Sequence, residues 1–487
     1  MARQAKSSPK IGWLFVGIVL LLAGAILINL YYDKEMSVRI AESINIDNGD
    51  TKINWNNYPT TDIELSTPLT ISESGTYHLT GYAKDAPVII NAADDAVVRL
   101  ILDNIVIKNS TAPAIICYSA DDLVVETVGE NILEDGKAYS DQYDEDVKGV
   151  IYSKADLTFA GDGVLRIIAN YQDGIVSKDD LKFDGGTYQI KAADDGIRGK
   201  DSVYVVSGNF NIDAGGDAIK STNETDAGKG FIAIKDGDFM IEAGDDGIHA
   251  FRQLIIEGSN IEIAQSYEGL EAQNIIINNG KISIFALDDG MNAGGGNDDQ
   301  ADKNPFKADS NCILTVNGGE IYINASGDGI DSNGYIYFGG GNVVVDGPTN
   351  NGNGALDSGL GITMNGGTVV AVGASGMAVD LGQESSIYNI SVYFSAFQPA
   401  GTKLEIRNTS GETIISHTSA KAFNHLAAGS ENFEPGEAYI IYINGEKYKE
   451  FIILDITTTV GEGENNGQPG FQPDPNMPRP NDAPERN

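Results

Sequence analysis

From about residue 61 onward, apolar and polar positions alternate in short runs, and none of the runs sustains a helical period. Residues 196–217, GIRGKDSVYVVSGNFNIDAGGD, show the pattern. Three strand-like pieces, GIRGK, SVYVVSG and NFNIDA, are parted by Asp, Ser and Gly turns. Residues 247–268, GIHAFRQLIIEGSNIEIAQSYE, divide in the same way. A matching glycine or alanine falls at Gly174, Gly196, Ala218, Gly247, Gly269, Gly290 and Gly329, at successive spacings of 22, 22, 29, 22, 21 and 39 residues. A unit of about 22 residues, sometimes lengthened, is the signature of a solenoid, whose units bury their apolar faces against one another.

Three short strands per unit, stacked on similar neighbours, predict an all-β parallel β-helix. Leucine-rich repeats share the unit length, but their regular leucine and asparagine positions are missing. A nonapeptide calcium β-roll is excluded by the period. Residues 61–135 read as less regular units of the same array, and GNVVVDG and GTVVAVG carry it to about residue 375. Further on, SVYFSAF, TKLEIRN, ETIISHT and AYIIYING read as hairpins of a small antiparallel cap, which an open last unit requires to cover its edge and core.

The ends differ from the array. Residues 11–32, IGWLFVGIVLLLAGAILINLYY, are apolar, uncharged and long enough to span a bilayer as a helix. Arg3, Lys6 and Lys10 precede them, which places the start in the cytoplasm and the bulk outside. A cleaved signal peptide competes with this reading, but no A-x-A site ends the run, so an uncleaved single-pass anchor in the cell membrane is expected. The domain plan is then a cytoplasmic start (1–10), anchor (11–32), juxtamembrane linker (33–60), repeat domain (61–386), cap (387–460) and a disordered Pro-, Gly- and Asn-rich tail (461–487).

The repeated motif itself carries the candidate chemistry: DDGIRG at 194–199, GDAIKS at 216–221, DDGIHA at 245–250, EGLEAQ at 268–273, DDGMNA at 288–293 and GDGIDS at 327–332. Strand alternation points Ile197, Ile219, Ile248, Leu270, Met291 and Ile330 inward. The residues that follow them point outward: Arg198, Lys220, His249, Glu271, Asn292 and Asp331. Asp195, Asp217, Asp246, Glu268, Asp289 and Asp328 stack as a column, with Asp194, Asp245 and Asp288 beside it. Carboxylates about 4.8 Å apart repel by about 1 kcal/mol per pair even in water. Hard oxygen donors at that spacing suit Ca²⁺, to which Asp331 also belongs, whereas zinc would call for thiolates or several histidines. The competing reading is that each aspartate accepts backbone N–H bonds in its own turn.

Formal net charge is −38, from 70 acidic and 32 basic residues, a field that repels nucleic acid. Three cations in one row, Arg198, Lys220 and His249, are therefore unexpected. With Glu271 and Asn292 they form a candidate ligand-binding row for a glycan that bears carboxylates; solvated ion pairs with neighbouring aspartates are the alternative. Inserted segments at 221–230 and 293–310, with 134–148, border the same edge, and Tyr143 and Phe306 in them are candidate sugar-stacking rings. Cys117 and Cys312 lie about seven units apart, roughly 30 Å at the strand spacing, which precludes a disulfide.

The DDGI-type repeats, the upstream ISESGTYHLTG and VGENILEDGKAY segments and the hairpin cap together resemble the clostridial-type cellulose- and pectate-binding proteins, whose fold is a right-handed parallel β-helix related to pectate lyases. The resemblance spans residues 61–456. It implies carbohydrate binding at the cell surface with Ca²⁺ in the helix and without catalysis, the partner being a plant cell-wall or acidic glycan: cellulose, pectate or another uronate-containing polysaccharide. A Ca²⁺-dependent polyuronate lyase is the alternative, with Lys220 as the base. A structural surface adhesin without affinity for glycans is the third.

Overall fold

A computed structural model describes residues 53–294 and 308–461. The strands fall into a 35-stranded sheet and a four-stranded one. In the repeat region every pairing is parallel, and each unit lends one strand piece to each of three ladders. In the first ladder, Ile197, Ile219, Ile248, Leu270, Met291 and Ile330 follow one another in register. The second aligns Leu181, Val203, Ile232, Leu254 and Ile275. The third aligns Leu165, Tyr188, Phe210, Phe239 and Ile261. All of these side chains are buried in one continuous core. Each aliphatic one contributes about 1.5–3 kcal/mol relative to exposure.

Register between units is what alternation in the sequence dictates, because a slip of one residue would turn every apolar side chain outward. Aromatic residues in the third ladder use the same spacing. The Phe210 and Phe239 rings stack 4.7 Å apart with planes 3° from parallel, which matches the distance between neighbouring strands. The small residues after the outward row, among them Ser177, Gly199, Ser221 and Ala250, are in register and buried, and Cys117 shares their column through Ser153. Cys117 and Cys312 form no disulfide.

The parallel stack ends by reversal. Thr368–Gly373 pairs antiparallel with Phe423–Ser430, which pairs antiparallel with Asn389–Gln398, and that strand pairs in parallel with Thr457–Gly461. Thr413–Thr418, Lys403–Asn408, Ala438–Ile443 and Glu446–Ile452 make the separate antiparallel sheet. The terminal region thus divides: three of its strands join the large sheet and four form their own, over a second core containing Val370, Ile390, Phe394, Ile406 and Ile441. One buried carboxylate ties the regions together. Asp346 accepts hydrogen bonds from Tyr322 Oη (2.9 Å), Ser419 Oγ (3.0 Å) and the Ala420 N–H (3.1 Å), and it lies 2.7 Å from His417 Nε2.

Two expectations are corrected. The expected class, a right-handed parallel β-helix with a cap and one N-terminal transmembrane helix, gives way to a coarser one, all-β and sheet-rich. Among the described residues there is no α-helix, only a three-residue 3₁₀ turn at Trp55–Asn57. Period and alternation specify which residues stack; they specify neither the hand of the chain path nor a helix joined to it. Single-pass anchoring in the cell membrane is withdrawn with it, since no helix among the described residues is long and apolar enough to cross a bilayer. An apolar run meets only the length criterion for a span, and residues 11–32 lie outside the described residues, as do Phe306 and the tail from 462.

Candidate functional site

The chain enters the first ladder through the acidic turn that opens each repeated motif. Neighbouring turns approach so closely that a Cβ at Gly269 would lie 2.3 Å from the Gly290 carbonyl oxygen. Glycine in the motif therefore answers to contact between units. The acid before it is locked to the next unit through the backbone. The N–H of Asp195 donates to Asp173 Oδ1 (3.2 Å), that of Asp217 to Asp195 Oδ1 (3.1 Å), that of Asp246 to Asp217 Oδ1 (2.9 Å), and that of Glu268 to Asp246 Oδ1 (3.2 Å). Further along, the Asp328 N–H donates to Asp289 Oδ1 at 2.6 Å. The aspartates thus accept backbone N–H bonds, from the turn of the next unit and not from their own, and the other oxygens of Asp195, Asp217 and Asp246 approach Arg198, Lys220 and His249. Asp194 and Asp245 are exposed beside it, and Asp288 is half-buried.

Residues of the outward row follow one another in register as Val176, Arg198, Lys220, His249, Glu271, Asn292 and Asp331, wherever their strands pair. The three cations fold back onto the acids. Arg198 donates to the fully buried Asp173 and approaches Asp195 Oδ2 at 3.8 Å. Lys220 donates to Asp217. His249 Nδ1 lies 3.2 Å from Asp246 Oδ2 and 3.1 Å from Glu271 Oε2. Asn292 donates to Glu268 Oε1 at 3.2 Å.

Burial raises the carboxyl pKa of Asp195 and of Asp217, and each is raised further by the next acid in the column. Asp173 is pushed up to about 7 by burial, against the pull of Arg198. Burial alone would lower the Lys220 ammonium, but Asp217 and Asp195 outweigh it and hold the proton more tightly than usual. His249 follows the same logic: burial opposes its charge, yet Asp246, Glu271 and Asp217 raise it from 6.5 to about 9. Half of the column therefore contains its own counter-ions.

The far end differs. Carboxylate oxygens of Asp328, Asp331 and Asp357 lie within 4.8 Å of one another, and among the described residues no Lys, Arg or His forms an ion pair with them. Burial, reinforced by the neighbouring acids, lifts Asp289 and Asp331 well above the ordinary carboxylate range and Asp328 to about 7, and burial raises Asp357 too. Such a group is costly as bare anions and offers only hard oxygen donors, which fits Ca²⁺. Asp217, Asp246 and His249, and likewise Asp246, Glu268 and Glu271, are also within 4.8 Å of one another, but there the imidazole already supplies positive charge.

Two acids escaped the sequence reading, Asp173 of the column and Asp357, which follows Asp331 in the outward row, although each carried a signal. Asp173 precedes Gly174 in a DGIVS segment of the same pattern. Asp357 sits in LDS, an echo of the IDS at 330–332, and an isolated parallel bridge joins Ile330 to Leu356. The 134–148 segment covers the start of the outward row. Tyr139 and Tyr143 pack against the cluster of Ile116, Val147, Tyr152 and Val176, so Tyr143 is a packing residue more than a displayed ring. The 222–230 segment is pinned by Asn223, which donates to Asp201 at 2.6 Å, and by Lys229, which pairs with Asp201.

Comparison with known proteins places these features in a family. Residues 66–352, more than half of the chain, match the family of carbohydrate-binding domain-containing proteins, and the chain belongs to it. A carbohydrate-binding domain-containing protein of Acetivibrio thermocellus is 31% identical over 126 residues, which is 25% of this chain; the chain spans 44% of the length of that relative. A solved structure, described as the polysaccharide lyase-like protein from C. thermocellum in a gadolinium derivative, is 29% identical and covers 42% of this chain and 92% of its own, with a TM-score of 0.39.

Proposed function

From that membership we propose that the chain binds polysaccharide without cleaving it, and that Ca²⁺ held at Asp328, Asp331 and Asp357 joins it to the carboxylates of an acidic glycan such as a plant cell-wall polyuronate. The observation that carries the reading is the contrast along the column. Asp173, Asp217 and Asp246 each face an internal cation, whereas the carboxylates of Asp328, Asp331 and Asp357 converge with none among the described residues. A bound divalent ion would supply the missing charge and retain open positions for ligand oxygens. Asp289 caps the turn that presents Asp328, and so positions the set. Arg198 and Lys220, about a quarter exposed, serve first as counter-ions and offer their remaining surface to a ligand laid along the row.

Support for a lyase is weaker. A general base must release its proton near the working pH, yet Asp217 and Asp195 strengthen the hold of Lys220 on its own.

Titration calorimetry with polygalacturonate tests the reading. Binding is expected in calcium and should weaken at least ~10-fold in EDTA or in the Asp328→Asn/Asp331→Asn double variant. No unsaturated uronate product should absorb in the ultraviolet. Equal binding with and without calcium would sink the metal bridge, and product formation that Lys220→Ala abolishes would establish the lyase instead.

A further inference from the structure

A second feature lies on the outward side of the third ladder, away from the acidic motif in register. A groove of about 490 Å³ is lined there by two parallel rows of side chains. One row runs Gln189, Asn211, Met240, Glu262, Ser283, each in register with the next. The other, two residues earlier on each strand, runs Thr187, Asn209, Asp238, Asn260, Lys281. A neighbouring depression of about 550 Å³ shares Asn260 and Lys281 and prolongs the trough towards Glu320. Five successive strands at about 4.8 Å spacing give the groove a length of roughly 19 Å across the strands.

Its chemistry contrasts with the rest of the molecule. The groove carries two acids, Asp238 and Glu262, against one base, Lys281, and the neighbouring depression adds Asp236 and Glu320, so the trough as a whole repels an anionic glycan. None of the carboxylate groups able to hold a metal among the described residues lies in it. Within the two rows amides and hydroxyls prevail, and these both donate and accept, as sugar hydroxyls do; Tyr188, Phe210, Phe239 and Ile261 between the rows make the rest of the lining more apolar. Several are pre-set. Arg166 holds the Gln189 carbonyl oxygen at 2.9 and 3.1 Å, which leaves the amide NH₂ to donate outward. Asn260 donates to Asp238 Oδ1 at 2.7 Å, which leaves its own carbonyl to accept. Between them Met240, 51% exposed, presents a polarizable apolar side chain on which the C–H face of a sugar ring can rest. Groups fixed before binding lose little freedom when a ligand arrives.

We infer that this groove is a binding site for an uncharged linear polysaccharide lying across the strands, separate from the acidic column and independent of calcium. It rests on the family's carbohydrate binding and owes nothing to the metal bridge. A charged glycan would find no cation row and no metal here, whereas an uncharged one meets matched hydrogen-bonding groups and an apolar rest.

The test uses the full chain in EDTA and a panel of uncharged gluco-, xylo- and manno-hexaoses. At least one should bind, and Asn211→Ala/Met240→Ala should weaken it ~10-fold or more. Both side chains are exposed, so the change opens no cavity, and an unaltered melting temperature checks this. Calcium-dependent binding of polygalacturonate should be unchanged in the same variant. The site is refuted if no hexaose binds, if wild type and variant bind alike, or if the variant loses polygalacturonate instead.

Discussion

Asp217 and Asp246 stand 29 positions apart in the chain, yet the backbone N–H of Asp246 donates to Asp217 Oδ1 at 2.9 Å. Lys220 donates to the same carboxylate, so one buried side chain caps the next turn and neutralises a cation at once. Asp217→Ala should therefore cost about 3–5 kcal/mol, the range for removing one member of a buried pair. Lys220→Met added to it should restore part of the loss, because the ammonium is no longer stranded. Denaturant unfolding of both single variants and the double variant measures the coupling; strict additivity would show that the two do not interact.

His249 predicts a pH dependence. Its folded pKa is raised from 6.5 to about 9, with Asp246 and Glu271 overcoming burial. The native state binds the extra proton between those values, so the contribution is full below about 6.5 and disappears as pH rises through about 9. Wild-type unfolding free energy should decline over that window, and His249→Gln should flatten the decline. A variant with the same slope as wild type would assign the dependence to another group.

Calcium should stabilise the fold through Asp328, Asp331 and Asp357. A ligand bound only by the native state at a hundredfold excess over its Kd adds about 2.7 kcal/mol. Without metal, Asp328 rises from 3.8 to about 7, so its stabilising share is complete below about 4 and is lost as pH climbs through 7. Melting in EDTA should accordingly occur at lower temperature at pH 8 than at pH 5, and calcium should narrow the gap. Asp331→Asn should abolish the response to calcium; an unchanged response would move the ion elsewhere.

Asp346 should govern the terminal sheet. Burial alone would raise its carboxyl, but His417 and the Ala420 N–H outweigh this and hold it below the ordinary range. Asp346→Ala strands Tyr322, Ser419 and His417 together, at a cost of about 3–5 kcal/mol. Hydrogen exchange should speed up in Lys403–Asn408 and Thr413–Thr418 more than in the repeat strands. A uniform increase throughout the chain would mean that the carboxylate does not act as a local tie.

Much of this was legible in the sequence, for a definite reason. Alternation and period translate directly into register, so the inward Ile197–Ile219–Ile248 column and the acidic column beside it follow from spacing alone. What a long side chain does after leaving the backbone does not follow. Arg198 and Lys220 start outward, yet each reaches back to an acid in its own motif or the preceding unit, a choice decided by charge in three dimensions. Lys220 is consequently no neutral surface position. The row Gln189–Asn211–Met240 gave no signal, because polar residues on an outward face look the same whether they meet water or a ligand. The terminal strands were legible as strands, but their partners were not: antiparallel pairs such as Val370 and Ala428 are chosen by long-range packing, with no repeat to announce them.

The outward row of the first ladder runs from Thr70 and Ile89 through Ile116, Tyr152 and Val176, which the 134–148 segment covers, to Arg198, Lys220 and His249 and then to Glu271, Asn292 and Asp331. Beyond the covered stretch the order has no two-fold symmetry: reversing it exchanges a cationic start for an anionic finish. A polymer with distinguishable ends, laid along that row, meets different neighbours in its two orientations. The charge pattern of the surface is therefore directional.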